Sequence, residues 1–182
     1  ANRCPLESLD FATLRIKDGL CDRFTELVGR RPSVEKRSPD VRIEAYFTFD
    51  HVSFYIDLAG ESLFKRGWRL EHGEAPLKEN AAALLALSGW KPELPLVDPF
   101  CGSGTIAIEA AAMATNTAPG LMRRFAFERL QGFDMALWQE MKEDARAAQN
   151  RSAKVFIRAS DISTIVVEKA EENCRRAGFG AL

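Results

Sequence analysis

Between Phe11 and Val28 the apolar residues Leu14, Ile16, Leu20, Phe24, Leu27 and Val28 recur on roughly one helical face. The spacing predicts an amphipathic helix that Gly29 and Pro32 bring to an end. The period then shortens to two. Val41, Ile43, Ala45 and Phe47 alternate with Arg42, Glu44 and Tyr46, and Val52, Phe54, Ile56 and Leu58 repeat the alternation. A turn at Asp50-His51 separates the runs, so they predict an antiparallel hairpin with one buried face and the preceding helix as its cover. The segment from Glu61 to Pro76 is polar and reads as a connection.

Past it the helical period returns from Leu77 to Leu87, and Pro92 and Pro95 break it. Leu96-Val97 starts a short buried strand, a glycine-containing loop follows, and Thr105–Thr115 has strong helix propensity. Residues 116–133 form a loop-rich insertion, after which Asp134 is placed to cap a helix reaching about Asn150. Val155-Phe156-Ile157 predicts another short strand, Asp161 its end, and Ile162–Arg176 an amphipathic helix. Strands and helices in this order predict a parallel α/β sheet. The expected organisation is one unit over 1–62, a linker over 63–76 and a second unit over 77–182.

Composition narrows the function. With 182 residues, 46% of them hydrophobic, the chain can build one ordinary core or two small ones. A net charge of −1 means that any nucleic-acid contact must come from a local patch. Cys4, Cys21, Cys101 and Cys174 lie far apart, and His51 and His72 have no ligand-like spacing to them. Neither a metal site nor a disulfide framework is expected, which favours a reducing, cytoplasmic setting. No apolar run reaches the length of a membrane span. The chain starts at Ala1 rather than Met and stops just after a predicted helix, so a piece of something longer is expected.

The chemistry concentrates in Val97-Asp-Pro-Phe-Cys-Gly-Ser-Gly-Thr105, a turn between strand and helix. Gly102 and Gly104 permit φ > 0 and keep side chains away from a ligand, and the following helix offers free N–H groups and a positive dipole end. Three ligands compete. A phosphate-cradling loop needs Lys-Ser/Thr after its last glycine, but Thr105-Ile106 stands there. A dinucleotide loop, Gly-x-Gly-x-x-Gly/Ala, is matched by Gly102–Ala107, yet the acid expected about 20 residues on is missing. Asp98 would also sit awkwardly beside a pyrophosphate. S-adenosylmethionine has no phosphate and carries an ammonium and a sulfonium. An acid ending the first strand, Asp98, suits the ammonium, and an acid ending the next, Asp161, suits two ribose hydroxyls.

Asp98-Pro99-Phe100-Cys101-Gly102-Ser103-Gly104-Thr105 resembles the first motif of class I methyltransferases that modify exocyclic amino groups of nucleic-acid bases. Together with Gly73–Trp90, Ser53–Arg69, Ala118–Gly120 and Ser160–Ser163, it resembles the THUMP-domain RNA methyltransferases, in particular the bacterial 23S ribosomal RNA guanine-N2 enzymes of the RlmL type. The resemblance implies a partial Rossmann-like methyltransferase fold preceded by the end of an α+β THUMP-like RNA-binding unit. It implies that Asp98, Gly102 and Gly104 line the methionine end of S-adenosylmethionine, that Asp161 holds the ribose and that Ile162 lies against the adenine. Lys78, Glu79 and Asn80 match a segment that packs over that pocket. The family's Asn/Asp-Pro-Pro-Tyr-type motif, which grips the target amino group, is absent from this sequence, so this stretch alone is expected to be inactive.

Other residues have two readings. Cys101 reads as a packing residue rather than a nucleophile. Asp98 and Asp161 are also suitable helix caps, and Glu109 is either buried by the pocket or solvated. Lys65, Arg66, Trp68 and Arg69 mix charge with an aromatic, as an RNA-binding patch or a domain-linking segment would, and Arg123-Arg124 is equally open. The expected function is S-adenosylmethionine-dependent methylation of ribosomal RNA. The alternatives are a non-catalytic RNA- or cofactor-binding module and, more distantly, a nicotinamide oxidoreductase.

Overall fold

The computed structural model describes residues 4–69 and 77–180. His72 and Gly73–Pro76, and with them part of the polar connection, lie outside these residues.

Helix α1, Leu9–Val28, starts two residues before the apolar period because Ser8 caps it, accepting a hydrogen bond from Phe11 N–H at 3.2 Å. It ends at Gly29, whose φ of 77° lets its N–H return to Thr25 O. Strands β1, Arg42–Phe47, and β2, Val52–Asp57, pair antiparallel with Ile43 opposite Ile56 and Phe47 opposite Val52. The hairpin is as expected, but its burial is not. Phe11, Leu14, Phe24 and Leu27 of α1 and Ile43, Phe54 and Ile56 of the hairpin are all exposed. One helix and two strands have too little facing surface to bury both apolar stripes.

The second unit packs around a short parallel pair. After α2, Ala82–Leu87, comes β3, Leu96–Asp98, then α3, Thr105–Ala114. The inserted loop follows, then α4, Met135–Ala147, β4, Ile157–Ala159, and α5, Thr164–Arg176. Asp134 caps α4 by accepting from Leu137 N–H at 3.0 Å. Strand β4 begins at Ile157, not Val155. Parallel pairing sets Leu96 beside Ile157 and Asp98 beside Ala159, and Ser160 N–H donates to Asp98 O at 2.9 Å. Pairing therefore selects the residues that reach the loop over the preceding apolar triplet.

Alanines bring α3 close to the sheet: Ala107, Ala110 and Ala111 join Leu85 and Ile157 in the core. A second cluster joins Ile108 to Cys174 of α5 and to Trp68 from the connection. No helix among the described residues is long and apolar enough to cross a membrane.

Candidate cofactor site

The site is built where β3 and β4 end side by side. Asp98, the last residue of β3, is buried, with 9% of its surface exposed. One carboxylate oxygen, Oδ1, accepts from Phe100 N–H at 3.2 Å. The other, Oδ2, is buried without a hydrogen-bond partner. An ionised oxygen in that state is costly unless a cationic or donor group arrives to meet it.

The turn then swings Pro99 and Phe100 outward, both exposed, and brings Cys101 back in. Cys101 N–H donates to Ser160 O at 2.8 Å, joining the loop to the end of β4. Burial, then the nearby charges of Asp98 and Asp161, push the Cys101 thiol pKa up, so it is no nucleophile at neutral pH. The two glycines do different things. Gly102, at φ 53°, has no atom within 4 Å of where a Cβ would stand. Its missing side chain leaves open space beside the turn. Gly104, at φ 87°, is packed: a Cβ there would stand 3.2 Å from Ala170 Cβ and 3.3 Å from Ile108 Cδ1. Its missing side chain permits the close approach of α5.

Asp161 closes the opposite side. Its Oδ2 accepts from Gly102 N–H at 3.0 Å and its Oδ1 from Ser163 N–H at 3.1 Å. These backbone donors, Ser163 first and Gly102 next, hold the Asp161 carboxyl below its usual range. Each oxygen keeps a lone pair for a further donor. Asp161 thus steadies the loop and the start of α5 while remaining able to accept from a diol. Ile162 beside it is fully exposed. Behind the loop, the buried Asn173 of α5 donates to Ser103 O at 3.2 Å.

A charged network that the spacing did not reveal borders the loop. Arg69 donates to Thr105 Oγ1 and, at 2.8 Å, to Leu77 O, and its Nε lies 3.4 Å from Glu79 Oε1. Burial lowers the Arg69 pKa, against the pull of Glu79. Of the segment expected over the pocket, Glu79 is buried in this ion pair, whereas Lys78 and Asn80 are exposed, with Lys78 lying over the Phe64 ring. Arg66 grips both oxygens of Glu109 at 3.2 and 3.3 Å. Burial still raises the Glu109 pKa, with Arg66 opposing it. Arg66, Trp68 and Arg69 therefore face inward. Of the exposed cations left open above, Lys65 pairs with Glu61, and Arg124 points to solvent. The only sign in the sequence was two arginines flanking a tryptophan.

A cavity of about 260 Å³ lies elsewhere on α3, bounded by Trp68, Ile108, Met113, Pro119, Met122 and Phe179. No residue of the 98–105 loop lines it. Its one ion pair, Arg66–Glu109, is already satisfied.

An acid just beyond or at the end of each of two parallel strands, with a glycine turn between them and a helix leading away, is an arrangement of the class I methyltransferase fold. Residues 66–182 match the RMKL-like methyltransferase domain, and the chain belongs to that family. Residues 2–57 match the THUMP domain.

The chain is 47% identical over 182 residues to the ribosomal RNA large subunit methyltransferase K/L of Pseudoalteromonas atlantica, covering 98% of this chain and 26% of the relative. It thus spans about a quarter of that protein. A crystal structure of a predicted N6-adenine-specific DNA methylase from Listeria monocytogenes superposes with a TM-score of 0.85 at 35% identity, covering 96% of this chain and 46% of the other. The structure of SMU.472, described as a methyltransferase, in complex with SAH gives a TM-score of 0.77 at 39% identity, covering 89% and 43%.

Proposed function

We propose that this chain holds the cofactor-binding part of an S-adenosylmethionine-dependent RNA methyltransferase, joined to part of its RNA-binding unit. The full protein would methylate guanine N2 of 23S ribosomal RNA in the cytoplasm. The observation that carries the reading is the buried, unpartnered Oδ2 of Asp98 beside the open face of Gly102. That pair of features fits a compact cationic head group entering next to a carboxylate. It fits poorly with a pyrophosphate, which Asp98 would repel, and so the nicotinamide reading is the weaker one.

When bound, S-adenosylmethionine supplies a methyl group made electrophilic by a positively charged sulfur. The chain's own residues bind and orient. Asp98 pairs its free oxygen with the ammonium, and the bare backbone at Gly102 lets the ligand approach. Asp161 receives the ribose hydroxyls on its remaining lone pairs, and the exposed Ile162 lies along the adenine. Pro99, Phe100, Cys101, Ser103, Gly104 and Thr105 form the turn that fixes these positions, with Gly104 acting through packing. The groups that hold the target amino group belong to the Asn/Asp-Pro-Pro-Tyr motif, which this sequence does not contain, so residues 1–182 alone would bind without transferring. In the full protein, rate acceleration would come mainly from holding the amino lone pair about 3 Å from the methyl carbon. A paired base would first have to be flipped out.

RNA rather than DNA is favoured by the THUMP match, and ribosomal RNA by the Pseudoalteromonas atlantica relative. Two measurements test the reading. Calorimetric titration should show binding of S-adenosylhomocysteine and none of NAD; the reverse result overturns the cofactor. Labelled cofactor and the full-length protein should methylate unmodified 23S ribosomal RNA at a guanine. Cofactor binding with no transfer to any RNA would leave the non-catalytic module instead.

A further inference from the structure

Arg123, in the insertion between α3 and α4, is 8% exposed, an unusual degree of burial for an arginine. Its guanidinium donates through Nη1 to Ser62 O at 2.9 Å and Lys65 O at 3.3 Å. Through Nη2 it donates to Ala59 O at 3.1 Å and to Glu61 O. All four acceptors are backbone carbonyls of one stretch, the residues that follow β2. The ring of Phe125 covers the guanidinium at 4.7 Å.

The neighbours of Arg123 grip the same stretch. Phe127 N–H donates to Leu58 O at 3.1 Å, and a Cβ on Gly60 would stand 3.3 Å from Ala126 Cβ. At Gly67, φ 99°, a Cβ would stand 2.9 Å from Met122 O, so only glycine permits the approach. The far end of the stretch is fixed to α3 by the Arg66–Glu109 pair and the Arg69–Thr105 bond, with Trp68 buried between. The path from the hairpin to the cofactor loop is therefore held along its whole described length. A planar fork with five N–H donors can serve four converging carbonyls; an ammonium with three cannot span them.

We infer that Arg123 is a positioning residue that fixes the RNA-binding unit against the cofactor unit, and so sets where a bound RNA presents its target base. The inference rests on the RNA methyltransferase reading above. It concerns delivery of substrate, not chemistry, because Arg123 touches neither the loop nor its two aspartates. Misplacing a target by about 1 Å is enough to cost about a hundredfold in rate.

The test uses the full-length protein, with R123M and R123K. Each variant is assayed on unmodified 23S ribosomal RNA and on the shortest fragment of it that the wild-type protein still methylates. The fragment is taken short enough that it cannot span both units, so that it reaches the cofactor site without depending on a fixed RNA-binding unit. R123M should lose about tenfold or more in kcat/KM on the long RNA while changing less than about twofold on the short one. Its affinity for S-adenosylhomocysteine should be unchanged. R123K should show the same selective loss, smaller, and carries the comparison if R123M does not fold. An equal loss on both RNAs means that Arg123 serves folding alone and overturns the inference, as does no loss on either. A wild-type protein that binds the cofactor analogue but methylates no RNA overturns the functional reading instead, and this inference with it.

Discussion

Helices α1 and α3 both carry apolar residues and behave differently. Twenty-residue α1 carries Phe11, Leu14, Leu20, Phe24 and Leu27, yet Cys21 is its one buried residue. Ten-residue α3 is half alanine and buries six residues, among them Ala110 with no exposed surface. Size of side chain is not what decides burial here. Alanines let α3 approach β3, α2 and α5 together, so small residues are enclosed on several sides. The larger residues of α1 meet too little facing surface. The α1–hairpin unit is thus organised by capping and strand pairing, and the cofactor unit by packing.

The largest expected contrast follows from that difference. Ile108→Ala should destabilise the protein by about 2–5 kcal/mol, since Ile108 is buried between Trp68 and Cys174. Phe24→Ala on exposed α1 should cost about 0.5 kcal/mol or less. Denaturant melts of the two variants check this, and equal costs would erase the distinction between the units.

The glycines divide next. Gly104→Ala combines a positive φ with a 3.2 Å contact to Ala170, and should cost stability. Gly102→Ala meets open space and should cost less stability but weaken S-adenosylhomocysteine binding. Thermal melts with and without ligand would separate the pair.

Asp98→Asn should weaken the cofactor analogue by about tenfold, or about 1.4 kcal/mol, while leaving the free protein as stable or more so. The substitution replaces a carboxyl group that has one oxygen buried without a partner. A destabilised free protein with normal affinity would mean that Asp98 acts structurally.

The smallest effect concerns pH. The Asp161 carboxyl is held below its ordinary value of about 4, so its folded pKa is depressed. The stabilisation from its backbone donors is then complete above the ordinary value and lost as pH falls through the lower, folded one. Binding of the analogue should stay flat from pH 7 to about 5 and weaken only in stronger acid. In Asp161→Asn that acid-side decline should shrink, which a pH series of titrations would show.

Much of this was legible in the sequence, for local reasons. Gly29 ends α1, Asp134 caps α4, and the alternation over 41–58 made the hairpin, because each depends on neighbours a few residues away. The loop could be read from Asp98 to Thr105 since its spacing reflects one tight turn. The register of β4 was missed by two residues, because pairing with Leu96–Asp98, not its own apolar content, selects Ile157–Ala159. The inward course of Arg66, Arg69 and Arg123 was hidden for the same reason. Their acceptors at Glu109, Thr105 and Ala59 lie tens of residues away, and nothing in a local pattern tells a buried guanidinium from a solvated one.

Asn173 holds the carbonyl of Ser103 from a helix some seventy positions further along. The turn is therefore shaped before any guest comes. Little freedom is left for it to surrender on capture, which lowers the ordering cost that any ligand contacts must offset. On the reading proposed above, the same rigidity would make a docked methyl donor a fixed reference point against which the rest of the full protein is aligned.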